Sequence, residues 1–174
     1  MNSEHLRLAC IGCGRIAQDH LYAMSTIEKA TIVGVVDEKA DVAQGVANQF
    51  ECTGFTSPSD LLNDREVDAV LICTPPATHG NISSYFLEQG IHVLCEKPLA
   101  ITVEEGEKMR QKAEEAKVIF MMATKFRFVD DVVKAKGIIG SGMLGRILFF
   151  ENTLCSYVDM TNRWNSQPEI SGGG

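Results

Sequence analysis

Short, continuous apolar runs alternate with segments whose apolar residues recur at three and four. This is the signature of buried strands separated by amphipathic helices. The first run is Leu6 to Ile11; from Gly14 to Ser25 a helix puts Ile16, Ala17, Leu21 and Met24 on one face. Thr31 to Val36 is the second run. The next helix, Ala40 to Phe50, carries Val42, Val46 and Phe50. Thr53 to Phe55 reads as a short third strand. Ser57-Pro58-Ser59-Asp60 then has the order of a helix start, with a cap serine, a first-turn proline and an acid. Asp68 to Cys73 is wholly apolar after its first residue, and Thr74-Pro75-Pro76 ends it. A helix from Thr78 to Gln89 carries Ile82, Phe86 and Leu87, with Gly90 placed as its C-terminal glycine. His92 to Cys95 is a strand. Thr102-Val-Glu-Glu105 is a capping box for a helix reaching Ala116, and Val118 to Met122 is the last run.

Helical crossovers between successive strands require parallel pairing. The pattern predicts an α/β fold, a doubly wound parallel sheet of the Rossmann type over residues 1–123. Such sheets take ligands at the carboxyl ends of their strands. The rhythm changes after Met122. A helix from Val129 to Ile139 has Asp130 and Asp131 in its first turn and Lys134 and Lys136 later, which complements its dipole. Gly145 to Phe150, running toward Leu154, reads as a strand. Residues 124–174 are thus expected to begin an incomplete C-terminal α+β substrate domain, ending at Ser171-Gly-Gly-Gly174. Roughly 50 residues hold too few elements for a core of their own, so the expectation is a truncated second domain.

Composition narrows the partners. The 174 residues carry a net charge of −7 and their basic residues are scattered, which argues against nucleic acid. No run approaches the roughly 18 apolar residues of a membrane span, and no signal peptide precedes Leu6. The expectation is a cytoplasmic protein with no membrane partner. Of six cysteines, four end or lie in apolar runs, which suits buried thiols rather than a disulfide framework. Cys10-x-x-Cys13 has a redox spacing but overlaps a glycine turn, and no second pair exists to hold zinc, so no metal site is expected.

That turn is the first candidate for chemistry. Gly12-x-Gly14-x-x-Ala17 follows a strand and opens a helix, and Asp37 stands at the end of the second strand. This is the context of a dinucleotide site. Gly12, Cys13, Gly14, Arg15 and Ile16 are the candidate contacts, their amides facing a pyrophosphate. Asp37 accepts ribose hydroxyls and, with Glu38, repels a 2′-phosphate. NAD is therefore the expected cofactor, with NADP an alternative that Lys39 keeps open. Asp37 also suits a helix cap. Lys97 sits just past a buried strand between Glu96 and Pro98. There an ammonium can steady a developing alkoxide or relay a proton; a surface ion pair is the other reading.

Three segments together resemble the Gfo/Idh/MocA oxidoreductases: the glycine turn, Cys73-Thr-Pro-Pro-x-x-His79, and His92-Val-Leu-Cys-Glu-Lys-Pro-Leu-Ala100. The resemblance implies hydride transfer between nicotinamide and a sugar or polyol carbon, with Lys97 as the catalytic lysine before a commonly cis proline. It implies that Thr74 and Pro75 line the nicotinamide side, with His79 opening the helix beneath; a helix-start histidine satisfied by backbone is the other reading of His79. It also implies that Glu96 contacts the nicotinamide ribose and that Arg127 lies in a cofactor segment. Arg163-Trp164 resembles a basic-aromatic pair near the cofactor and equally suits packing. A sugar or polyol substrate and a homo-oligomer follow from the same resemblance. The family continues after Ser-Gly-Gly-Gly into an aspartate and a histidine that complete the site, and neither lies within these residues. The isolated chain is thus expected to bind NAD and turn over poorly. The alternative is a non-catalytic NAD-binding module acting as an interaction or sensor protein. His5, His20 and His92 read as structural, and Met109, Met121, Met122 and Met143 as core fillers.

Overall fold

All six runs up to Met122 form strands: β1 Leu6–Ile11, β2 Ala30–Val36, β3 Thr53–Phe55, β4 Ala69–Ile72, β5 His92–Cys95 and β6 Phe120–Met122. The computed structural model describes residues 5–153, 155, 157 and 166–171. In it the strands pair in parallel in the order β3-β2-β1-β4-β5-β6. This is the doubly wound topology, with its reversal between β1 and β4. The helices are α1 Arg15–Ser25, α2 Ala40–Gln49, α3 Pro58–Asp64, α4 His79–Glu88, α5 Val103–Ala116, α6 Asp130–Gly140 and α7 Pro168–Ser171.

Strand alternation sends side chains to two cores. Cys10, Leu71 and Cys73 pack with Ala17 and Leu21 of α1 and Val46 and Ala47 of α2. Ala9, Ile11, Val70 and Ile72 pack with Leu61 of α3, Phe86 and Leu87 of α4, and Met109 and Ala113 of α5. Both faces of the central strands are covered, which explains their unbroken apolar sequence. The amino end of the sheet is fastened by Arg7. Its guanidinium pairs with Asp68 at 2.7 Å and with Glu66, and its backbone amide donates to Asp68 at 2.7 Å.

Local signals set the helix ends. Ser57 Oγ accepts the Asp60 amide at 3.1 Å ahead of α3, and Thr102 Oγ1 accepts the Glu105 amide at 3.2 Å ahead of α5. The Glu105 carboxylate reaches back to the Ile101 amide at 3.0 Å, one residue before the position a capping box assigns it. Gly90 follows α4 with φ +74°, the left-handed conformation expected there. A single 3-10 turn, Pro76–Thr78, precedes α4.

By internal contacts the chain divides into one unit of Met1–Ala123 with Trp164–Gly174, and a second of Thr124–Arg163. The sequence reading carried the second domain to residue 174. The packing of α7 on the Pro76–Thr78 turn accounts for the return of the last segment to the first unit. The second unit contains α6, preceded by the 3-10 turn Lys125–Phe128.

Several expectations are corrected. Gly145 to Phe150 is not a strand; nothing pairs with it among the described residues, and Leu148, Phe149 and Phe150 are exposed. An apolar run becomes a strand only when another strand satisfies its backbone. Met109 is fully buried, but Met121 and Met122 are exposed because β6 is a sheet edge, and Met143 is exposed in the second unit. Ile16 lies off the buried stripe of α1 and is exposed, because that stripe is carried by Ala17 and Leu21. Arg163-Trp164 and Gly172 to Gly174 lie outside the described residues, as does the far end, Leu154, of the expected strand.

Candidate functional site

The carboxyl ends of β1, β2, β4 and β5 finish level with one another. Ile11 is paired with Val36 and Ile72, and Ile72 with Cys95. The residues just beyond are Gly12 to Gly14, Asp37, Thr74 with Pro75, and Glu96 with Lys97. The topology therefore brings most of the predicted site residues to one rim, at the switch point between β1 and β4.

At the turn, Gly12 has φ +88°, and a Cβ there would stand 2.9 Å from the Cys73 carbonyl carbon and the Thr74 amide nitrogen. Only glycine fits both the conformation and the contact. Beside Gly14 the space is open, with nothing within 4 Å of a built Cβ. Gly14 caps α1 without a side-chain hydrogen bond, and no acid lies in the first turn. The amides opening this 11-residue helix are thus left for an anion, with Arg15 and Ile16 exposed beside them. That arrangement fits a dinucleotide pyrophosphate.

Asp37 joins the turn to the second strand. Its Oδ2 accepts the Cys13 amide at 3.0 Å and its Oδ1 accepts the Lys39 amide at 3.0 Å. The second bond closes a local turn ahead of α2, whose N-cap, Lys39, has no side-chain cap bond, so Asp37 braces the turn and does not cap the helix. A carboxylate has about four acceptor sites, so room remains for ribose hydroxyls. Cys13 itself is buried, its thiol facing the Val36 carbonyl at 3.6 Å. Burial first, and the Asp37 charge next, push that thiol up to about 12. Contact with Cys73 and burial push the Cys10 thiol up as well. Neither is a ready thiolate, and all six cysteines are free.

On the other side of the switch point, Thr74 and Pro75 are half-buried at the end of β4. Thr78 Oγ1 lies 2.8 Å from both the Pro75 carbonyl oxygen and Thr74 Oγ1, which fixes the turn. Glu96 is buried. Its Oε1 meets His20 Nε2 at 2.8 Å, and its Oε2 accepts the Lys97 amide at 3.0 Å. His20 was read as merely structural; it ties α1 to the Glu-Lys-Pro segment. Its partner lies 76 residues away, so no local spacing announces it. Lys97 is exposed and the Lys97–Pro98 peptide is cis.

His79 opens α4, and its ring meets the backbone, one of the two readings its sequence position left open. It is fully buried, and both ring nitrogens face backbone carbonyl oxygens, Pro98 and Thr74, at 2.8 Å. No ring nitrogen is left for a cofactor, so its influence on the site is indirect. Arg127 belongs to the second unit, exposed in the 3-10 turn Lys125–Phe128. Among the described residues no cluster of histidine, cysteine and carboxylate suits a metal, and no helix is long and apolar enough to cross a membrane.

Comparison with known proteins agrees with this geometry. The family model for the oxidoreductase family with an NAD-binding Rossmann fold matches residues 6–124. The chain belongs to the Gfo/Idh/MocA family. Among its relatives, glucose-6-phosphate 3-dehydrogenase of Bacillus subtilis is 33% identical over 142 residues, 82% of this chain and 40% of that protein. Among solved structures, the WlbA dehydrogenase of Bordetella pertussis, in complex with NADH and UDP-GlcNAcA, matches with a TM-score of 0.78 at 28% identity. The match covers 82% of this chain and 44% of that one. KijD10, a 3-ketoreductase of Actinomadura kijaniata in complex with NADP, matches with a TM-score of 0.73 at 25% identity, over 79% and 42% of the two chains. This Gfo/Idh/MocA chain spans less than half the length of these three proteins.

Proposed function

We propose that the chain carries the cofactor side of an NAD-dependent dehydrogenase that moves a hydride between nicotinamide and a sugar, polyol or related hydroxyl carbon. The observation that carries the reading is the Asp37 carboxylate bonded to the glycine-turn amide of Cys13, beside an uncapped helix N-terminus. The Gly12 and Cys13 amides are taken by the Val36 carbonyl and Asp37, so the amides from Gly14 to Ile16 would hold the pyrophosphate, and Asp37 the adenosine ribose. Asp37 and Glu38 disfavour a 2′-phosphate, which selects NAD over NADP. Thr74 and Pro75 would flank the nicotinamide side, and Glu96 its ribose. Bound there, the cofactor supplies the hydride acceptor or donor. Lys97, exposed at the rim, would polarise the oxygen of the reacting carbon and hold or pass its proton. Relatives named glucose-6-phosphate 3-dehydrogenase and myo-inositol 2-dehydrogenase support this substrate class.

Fluorescence titration with NADH and NADPH tests the cofactor. NADH is expected to bind at least about tenfold more tightly, the worth of one poorly placed charge. Tighter NADPH binding overturns the Asp37 argument, and no binding of either overturns the reading. A screen over sugars and polyols, with Lys97→Met as control, tests the chemistry. Any turnover found should fall on the order of 10²–10⁴-fold in the variant.

A further inference from the structure

Past β5 the main chain changes what holds it. The Glu96 amide still donates to the Ile72 carbonyl at 2.9 Å, but the next amide, of Lys97, leaves the ladder and donates to Glu96 Oε2 at 3.0 Å. The backbone beneath the exposed Lys97 side chain is thus held by a side chain. Glu96 is itself buried, and a buried carboxylate needs donors on its oxygens. The second donor comes from α1, where His20 Nε2 lies 2.8 Å from Glu96 Oε1. A carboxylate only accepts, so the Nε2 N–H donates. His20 stands between Ala17 and Leu21, the two buried residues that seat α1 on the sheet. Its ring is therefore carried by a fixed helix, the one whose opening amides face the expected pyrophosphate.

We propose that His20 is a positioning residue: its bond to Glu96 fixes the carboxylate that holds the Lys97 main chain, and so links the pyrophosphate helix to the nicotinamide side of the site. Both ends of the link are those assigned above under the proposed function, on which this role rests. Glu96 and Lys97 are neighbours in the chain, so the bond between them lets the two swing together. The bond from His20 crosses from α1 to the end of β5 and stops that swing. Two donors use two of the roughly four acceptor sites of the carboxylate, which leaves the others for the nicotinamide ribose. Turning the carboxylate would withdraw the acceptor from the Lys97 amide and redirect those free sites in one movement.

The link is read first without any ligand, by amide hydrogen exchange followed residue by residue in 1H–15N spectra. In His20→Leu the Lys97 amide is expected to exchange about three- to tenfold faster while the β1 amides change little. His20→Gln, whose side-chain nitrogen can stand where Nε2 does, is expected to restore the slow rate. Equal acceleration at Lys97 and throughout β1, no change at Lys97, or no rescue by glutamine overturns the link. The positioning role is then read as a split between two ligands. His20→Leu is expected to weaken NADH binding about three- to tenfold and to leave unchanged the binding of ADP, which lacks the nicotinamide and its ribose, with His20→Gln close to the native protein. Equal losses for both ligands, or none, overturn the positioning role. If the native protein binds neither ligand, the proposed function fails and the positioning role falls with it, whereas the link is still decided by exchange at Lys97. If His20→Leu does not fold, His20→Asn, too short to bring its amide to Glu96, takes its place in every comparison.

Discussion

Burial pushes the Cys13 and Cys95 thiols up to about 12 from an ordinary 9.0, with the Asp37 charge adding to it at Cys13. In the unfolded chain these thiols lose their protons near the ordinary value, whereas in the fold they keep them until about pH 12. Between those limits the unfolded state binds fewer protons, so stability is full below pH 9 and declines as pH rises through that window. The urea midpoint should therefore fall between about pH 9 and 11, and less steeply in Cys95→Ala. Parallel curves for the two proteins would remove the buried thiols as the cause. At the same scale, Asp37→Ala should weaken NADH binding about tenfold and narrow the preference over NADPH, as measured by fluorescence titration. Asp37 and Lys97 were visible in the sequence because their positions relative to strand ends carry meaning by themselves. His20 was not, because a histidine in mid-helix says nothing until the sheet brings Glu96 to it. His79 was singled out in the sequence either as a cofactor contact or as a helix-start histidine satisfied by backbone. Its burial and its two carbonyl partners emerge only from the packing of α4 against the Pro98 segment.

Helix entry depends on single side chains. Ser57→Ala removes the oxygen that accepts the Asp60 amide and should lower stability by about 1 kcal/mol in urea unfolding. Leu61, fully buried one turn later, should cost about 2–5 kcal/mol as Leu61→Ala. If the cap variant proves as damaging as the core variant, the hydrogen bond is not what Ser57 contributes. The central strands were legible because a strand covered on both faces must be apolar throughout. α3 and α5 were legible at their starts because Ser57 and Thr102 stand where a cap is needed, and the other helices by their apolar periodicity. The run from Gly145 to Phe150 shows where that logic stops. Apolarity describes one segment, whereas a strand is a property of two, and the partner is not in the pattern.

Viewed as a whole, the molecule has an acidic, well-packed sheet unit and a second unit whose surface carries Leu148, Phe149 and Phe150. Exposed apolar residues in sequence favour association. Light scattering of concentrated protein should show self-association that Phe149→Asp with Phe150→Asp reduces. A monodisperse monomer before mutation would count against that surface. The doubly wound topology was readable because crossover length dictates parallel pairing. The return of Trp164–Gly174 to the first unit was not, because four helical residues without strong periodicity announce no destination. The Arg7 fastening has a consequence for redesign. Hydrogen bonds to Arg7 hold the Asp68 carboxyl below its usual range, and they do so at the end of the sheet remote from the rim of the candidate site. Rim loops can therefore be exchanged without unbolting the strands beneath them. The protein is a chassis, and another nucleotide or substrate preference could be grafted onto its upper edge while Arg7, Glu66 and Asp68 are left as they are.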